Sequence, residues 1–380
     1  MEKDDFKMEV HRLGASEPIE VKGKDLRIIE SNQKIAKIYA LARERAKSDH
    51  CLLCNKPCSS FCNSHSVPQF SLRPIANKGI LMSPLQKYIP SLGKNLGVNN
   101  AGTFFIICND CDNTRFQEYE TPSAYSHLPT SKMLAQIAIK NYLFFISRRK
   151  EEIEISKILK GMADKFGFLS MDTECIDLEN AQRLEEYDLA NFQIGLSDSI
   201  NKLSSNNDGF TLCYYKVLDY IVPYASQSAI SLISDFEDVV INDLFIEQDI
   251  DQMKQIHFAV FPLESSSVVL AFTDKKTTCY QNFASQLNAL NISEQLSAIN
   301  YILFSYTENI FINPNVYKQL QNSPEFIDVC RKSTHIESPE PFPVGDPMKT
   351  LVQEFSLKNR HKIPNLLSPQ YALSTKNCAP

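Results

Sequence analysis

CLLCNKPCSSFCNSHSVPQFSLR (51–73) and FFIICNDCDNTRFQEYE (104–120) decide the reading of this chain. Each stretch holds a Cys-x-x-Cys pair, Cys51 with Cys54 and Cys108 with Cys111. Two such turns present four thiolates at the spacing of a tetrahedral structural zinc site. The same metal would join turns far apart in sequence and add folding free energy that a small loop-rich unit lacks. Between the pairs, Ser64 to Pro68 is a short β-prone stretch with His65 near its start. A strand is expected over 103–107, and a short helix over 112–120, stopped before Pro122. The order is therefore knuckle, strand with histidine, long loop, strand, knuckle, helix.

Working outward, residues 51–150 carry 11 Lys/Arg against 4 Asp/Glu, a net +7 in a chain whose overall charge is −6. No acidic residue occurs from Cys51 to Ala101. Positive charge thus sits on the cysteine-and-histidine segment, as a phosphate-binding surface requires. Arg73, Lys78 and Arg115 are the candidate phosphate contacts. Residues 151–380 carry the opposite balance, −14.

The pattern His-x-x-Pro followed by Cys-x-x-Cys-Asp-x-x-Arg resembles the HNH nuclease family with its ββα-metal fold, over about 70 residues of the 380. The resemblance implies a metal-dependent endonuclease acting on nucleic acid, with DNA as the favoured substrate. It implies His65 as general base, suited by an imidazole pKa near working pH. It also implies Asp112 as ligand of a catalytic Mg²⁺ or Mn²⁺, with Asn113 as the neighbouring candidate; oxygen ligands suit these hard ions. Two positions differ from the common family pattern: Ser64 stands where an acidic or histidine ligand precedes the base, and Phe116 where a helix histidine is frequent. Glu118 or Glu120 can supply a carboxylate instead. Bacterial proteins of this layout suggest a defence or accessory role. The alternatives are a zinc-bearing nucleic-acid-binding module without catalysis and a protein-interaction module.

Composition fits a globular α+β protein, with 43% hydrophobic and 22% charged residues. No apolar run reaches membrane-spanning length, and the polar N-terminus is unlike a secretory leader, so a cytoplasmic location is expected. Six of the 11 cysteines crowd into 51–111, which favours a metal site over a disulfide framework. Cys58 and Cys62 exceed a four-ligand site and read as reduced thiols.

Four regions follow: a flexible arm over 1–30, the HNH-like zinc-bearing domain over 31–150, an acidic α+β regulatory, sensor or assembly domain over 151–332, and a Pro-rich tail over 333–380. The acidic domain is the expected contact for a protein partner or small-molecule signal. Residues 74–102 read as a long loop, in which Asn95, Asn99 or Asn100 is a candidate to orient His65 or else a turn residue. A helix over MLAQIAIKNYLFFI is apolar on nearly every side and so buried between domains. After Arg148-Arg149-Lys150 a second, amphipathic helix is expected, and a third over about 179–203. Strands are expected over 210–217, 255–261 and 267–273, the last two as a hairpin, with His257 a half-buried structural residue. Asn291 and Glu294 form a candidate capping box, and the tail is expected to be extended.

Overall fold

The computed structural model describes residues 26–84, 94–166, 178–205, 208–244, 253–335 and 346–374. The expected arm therefore lies almost wholly outside the described residues. The fold is α+β. Strands β1 (Ser64–His65), β2 (Ile80–Ser83), β3 (Lys94–Gly97) and β4 (Thr103–Phe104) belong to the cysteine-rich part. Strands β5 (Phe210–Leu218), β6 (Tyr224–Ile230), β7 (Ile256–Pro262), β8 (Ser267–Asp274) and β9 (Ile310–Ile312) come later. Among the described residues, β1 and β4 pair by themselves, and the other seven form one antiparallel sheet in the order β3-β2-β9-β6-β7-β8-β5.

The central strands β6 and β7 are buried along their whole length because both faces of the sheet are covered. Ile256, Phe258 and Val260 of β7 enter one core with Val269 and Ala271 of β8. Ala259 and Phe261 enter the opposite core with Val268, Leu270 and Phe272. The first core is closed by α6 (Tyr280–Ala289), α7 (Ile292–Tyr306), α8 (Pro314–Leu320) and α9 (Pro324–His335). Asn291 caps α7 by accepting from the Glu294 amide, as its spacing predicted. The second core is closed by α4 (Ser131–Phe166), α5 (Leu178–Ser205) and the cysteine-rich unit. That unit also holds α2 (Gln69–Leu72) and α3 (Asn109–Arg115), and α1 (Leu26–Arg45) leads into it. Ile38 and Ala42 of α1 pack on Ile155, Ile158 and Leu159 of α4.

Several expectations are corrected. The two helices expected around residue 150 are one 36-residue helix, α4. Arg148, Arg149 and Lys150 are good helix formers, and Arg149 pairs with Glu152 and Asp188 on the same face, so nothing interrupts the hydrogen-bond ladder. The long loop after Pro74 contains the paired strands β2 and β3, and Met82 of β2 pairs with Ile312 of β9, so residues 80–83 and 94–97 share a sheet with β5 to β9. Strand β4 covers two of the five residues expected, and the helix after the second knuckle begins earlier, at Asn109, capped by Cys108. His257 is not half-buried but 2% exposed, because β7 is covered on both faces. The described part of the tail beyond α9, residues 346–374, is not extended: α10 (Pro347–Phe355) forms, with Asp346 as N-cap, and Leu357, Ile363, Leu366 and Leu367 complete the first core. Among the described residues no helix is long and apolar enough to cross a membrane.

Candidate functional site

Each knuckle is shaped by its local sequence. Asn55 follows the first Cys-x-x-Cys with φ at +53°, a left-handed turn that asparagine tolerates, and its amide donates to the Cys51 carbonyl. Cys108 caps α3 by accepting from the Cys111 amide, and Cys51 Sγ accepts from the Cys108 amide at 3.3 Å. The knuckles are stitched together by Leu52 N–H to the Ile106 carbonyl and Cys62 N–H to the Ile107 carbonyl.

The result is a cluster in which the Sγ atoms of Cys51, Cys54, Cys108 and Cys111 lie within 4.8 Å of one another. Cys54 and Cys108 are 3.8 Å apart, the edge of a tetrahedron with zinc–sulfur bonds of about 2.3 Å. Burial pushes the Cys51 thiol up, but backbone amides of Cys108, Cys54 and Leu53 outweigh it and bring it down to about 7. Burial, and then the neighbouring sulfurs, push Cys111 the other way. Four thiols that share one small volume suit a cation that takes them all as thiolates, and zinc fits. These are the four cysteines whose spacing marked them as candidate ligands, and they do come together.

On the other side of α3 lies a second polar cluster, around Lys140. This lysine is 1% exposed, on the apolar helix α4. Its Nζ donates to Asp112 Oδ1 at 2.6 Å and Ser64 Oγ at 2.8 Å, and pairs with Glu120 Oε1 at 3.2 Å. Ser64 Oγ in turn donates to Asp112 Oδ1 at 2.6 Å, and the Cys62 thiol donates to Oδ2 at 3.2 Å. The Phe116 ring caps the ammonium, its centroid 4.3 Å away. Burial pushes the Asp112 carboxyl up, but the Lys140 charge and the three hydrogen bonds outweigh it and hold it below the usual range. For Glu120 burial wins against the same lysine, and its carboxyl is raised. Burial and the adjoining Asp112 push the Cys62 thiol up to about 12.

This geometry bears on the catalytic metal expected at Asp112. Both carboxylate oxygens are engaged, and an ion placed on them would meet an ammonium at hydrogen-bond distance. The residues do not fit a divalent ion there. Nor does the strand direct His65 to Asp112: neighbouring side chains alternate across a strand, and Ser64 is the residue that reaches the carboxylate.

His65 has different partners. Its Nε2 lies 3.2 Å from the Val98 carbonyl and 3.3 Å from Gln69 Nε2. A carbonyl can only accept, so Nε2 carries the proton and Nδ1 keeps its lone pair. Gln69 then donates to Asn99 Oδ1 at 3.3 Å and accepts at Oε1 from Arg73 at 2.9 Å. Asn63 donates to the Asn99 carbonyl at 2.9 Å. Burial, and then the Lys140 charge, lower the His65 pKa despite the raising effect of Val98, so the ring is neutral near pH 7. Lys78 stands exposed at the tip of the turn into β2, with φ of +51°, and its neighbour Gly79 accepts from the Val98 amide.

His65 and Arg73 therefore share one face with Gln69 and Asn99, of which Asn99 is one of the three loop asparagines considered above. Asn113 is exposed on α3, and half-buried Arg115 sits at its C-terminal end, with its carbonyl tied to Gln136. Neither shares a hydrogen bond with His65 among the described residues. Sequence reasoning missed Lys140 and Gln69. Lys140 did leave a signal: it is the lone charge between Met133 and Ile146, and a charge inside a buried apolar run needs a partner. No protein-family model, curated protein or solved structure matches this chain.

Proposed function

We propose that this protein binds nucleic acid through the zinc-pinned unit, with the His65–Gln69–Arg73–Asn99 face as the phosphate-contacting surface. One observation carries the reading: Arg73 donates to Gln69 at 2.9 Å and Gln69 to Asn99 at 3.3 Å, with Arg73 and Asn99 exposed beside half-buried His65, in a segment with no acidic residue from Cys51 to Ala101. Arginine and amide donors at such spacing suit phosphate oxygens. The zinc supplies rigidity to the hairpin and helix and takes no part in contact. The test is fluorescence anisotropy with single- and double-stranded DNA and RNA over a salt series. Tight binding at low salt that falls steeply with added salt is expected. No binding at low salt, or binding indifferent to salt, overturns the reading.

Phosphodiester hydrolysis is a second reading, favoured by one detail. The Val98 carbonyl fixes the His65 tautomer and leaves Nδ1 free to take a proton from water, as an oriented general base requires. The chain's own part in such a reaction would be proton abstraction by His65 and charge stabilisation by Arg73. A cleavage assay on plasmid and oligonucleotide substrates decides it. His65→Ala should lower turnover by about two to four orders of magnitude while leaving binding intact. A wild type that binds without cutting leaves the first reading alone.

A further inference from the structure

We infer that Lys140 is the resident cation of the hairpin–helix junction, an ammonium that does from within the chain what a bound divalent ion would otherwise do. The argument starts from valence. An ammonium has three N–H donors and no acceptor, and Lys140 has three oxygens at 2.6, 2.8 and 3.2 Å, from Asp112, Ser64 and Glu120. The aromatic face of Phe116 closes another side at 4.3 Å, a surface that attracts a cation. A magnesium ion demands an octahedron of oxygens at about 2.0–2.1 Å, most of them waters. A phenyl ring and a buried lysine stem leave no place for that shell.

The ties also run between elements. Ser64 belongs to β1, Asp112 to α3, Glu120 to the segment after it, and Lys140 to α4, so one nitrogen joins four parts of the unit. Cys62 completes the group from the Asp112 side at 3.2 Å. Removing the ammonium would leave two half-buried carboxylates, a buried hydroxyl and a thiol around the space it filled. Uncompensated buried charge is strongly unfavourable, so that space would recruit a cation from solution. Lys140 thus excludes divalent ions from this position in the native chain.

Zinc-loaded wild type, Lys140→Ala and Lys140→Arg proteins are titrated with Mn²⁺, and bound metal is read by electron paramagnetic resonance. Wild type and Lys140→Arg should bind none at this junction at millimolar Mn²⁺. Lys140→Ala should bind one ion per chain and gain thermal stability from it, and Asp112→Asn in that background should abolish both effects. Wild type that binds Mn²⁺ in a manner lost in Asp112→Asn overturns the inference. So does a stable Lys140→Ala protein indifferent to metal. If Lys140→Ala does not fold, the wild-type and Lys140→Arg titrations still decide the matter. A further arm rests on the nucleic-acid reading: Mg²⁺ should never strengthen binding, only weaken it as other added salt does. Absence of all nucleic-acid binding sinks that reading alone and leaves the metal titration to judge Lys140.

Discussion

Helix α3 has a polar cluster on each side, and the two are neutralised by different means. Toward the knuckles, Cys108 and Cys111 join two other sulfurs in a set that could hold a metal ion from outside. Toward α4, Asp112, the next residue along, joins oxygens around a cation the chain supplies itself. The first cluster is assembled from residues 57 positions apart and the second from residues 76 apart, so both act as long-range clamps. The difference lies in conditional stability. A sulfur cluster that relies on a metal holds only where that metal is available, whereas the lysine cluster holds wherever the chain is folded. Sequence spacing announces the first kind, because metal ligands come in regular pairs. It gives little sign of the second, because one lysine can meet its partners from any direction.

The comparison breaks first at the sulfurs. Purified protein should contain about one zinc per chain, and Cys108→Ser should lose it together with soluble folded protein, since metal binding is folding free energy here. Elemental analysis and thermal unfolding check this; a zinc-free protein of normal stability would place both clusters on the same footing. Next comes the lysine. Lys140→Met should cost about 3–5 kcal/mol in urea unfolding, the usual effect of stranding a buried charge. Adding Asp112→Asn should recover part of it, and a double-mutant cycle without coupling would refute the clamp.

A third buried group sharpens the contrast by remaining neutral. His257 stacks on Phe272 and has Asn141 Nδ2 at 3.1 Å from Nδ1, and burial, then the Lys202 charge, drive its pKa down to about 3. Lys202 pairs with Asp198 and Asp274 beside it. A pKa depressed on folding contributes stability that is present above the unfolded value, about 6.5, and is lost as pH falls from there toward 3. His257→Gln should lower the melting temperature at pH 8 yet flatten its decline between pH 6.5 and 4. An unchanged slope would mean that another group governs the acid limb. The smallest effect on stability belongs to the exposed face. Arg73→Glu should leave melting nearly unchanged, weaken nucleic-acid binding, and reduce its log–log salt slope by about 1–2.

What could be read in advance follows the same physics. The four cysteines, the β7–β8 hairpin and the Asn291 cap were legible because their signals are local spacings. The β2–β3 pair was hidden among glycines and prolines. Its pairing with β9 joins Met82 to Ile312, a partnership no local window contains. The tail was misread from its prolines, since Pro347 sits at the start of α10, where a missing amide does no harm. At the site, His65 and its exposed face could be proposed from sequence, but the engagement of Asp112 could not. It depends on a residue 28 positions later, on a helix that looked merely apolar.

Helix α4 also sets the angular phase of the molecule. Lys140 turns to the cysteine-rich unit, while Asn141 and Tyr142 turn to His257 in the sheet. Tyr142 lies so close to Gly195 of α5 that a methyl group there would overlap its ring. Successive helix residues are about 100° apart, so these three positions fix one rotational setting against three neighbours. A single residue inserted between Lys140 and Asn141 would keep every side chain in the inventory and still turn one half of the helix out of step with the other. The chain should therefore tolerate many substitutions along α4 that preserve size, but no change of length between Ile137 and Tyr142.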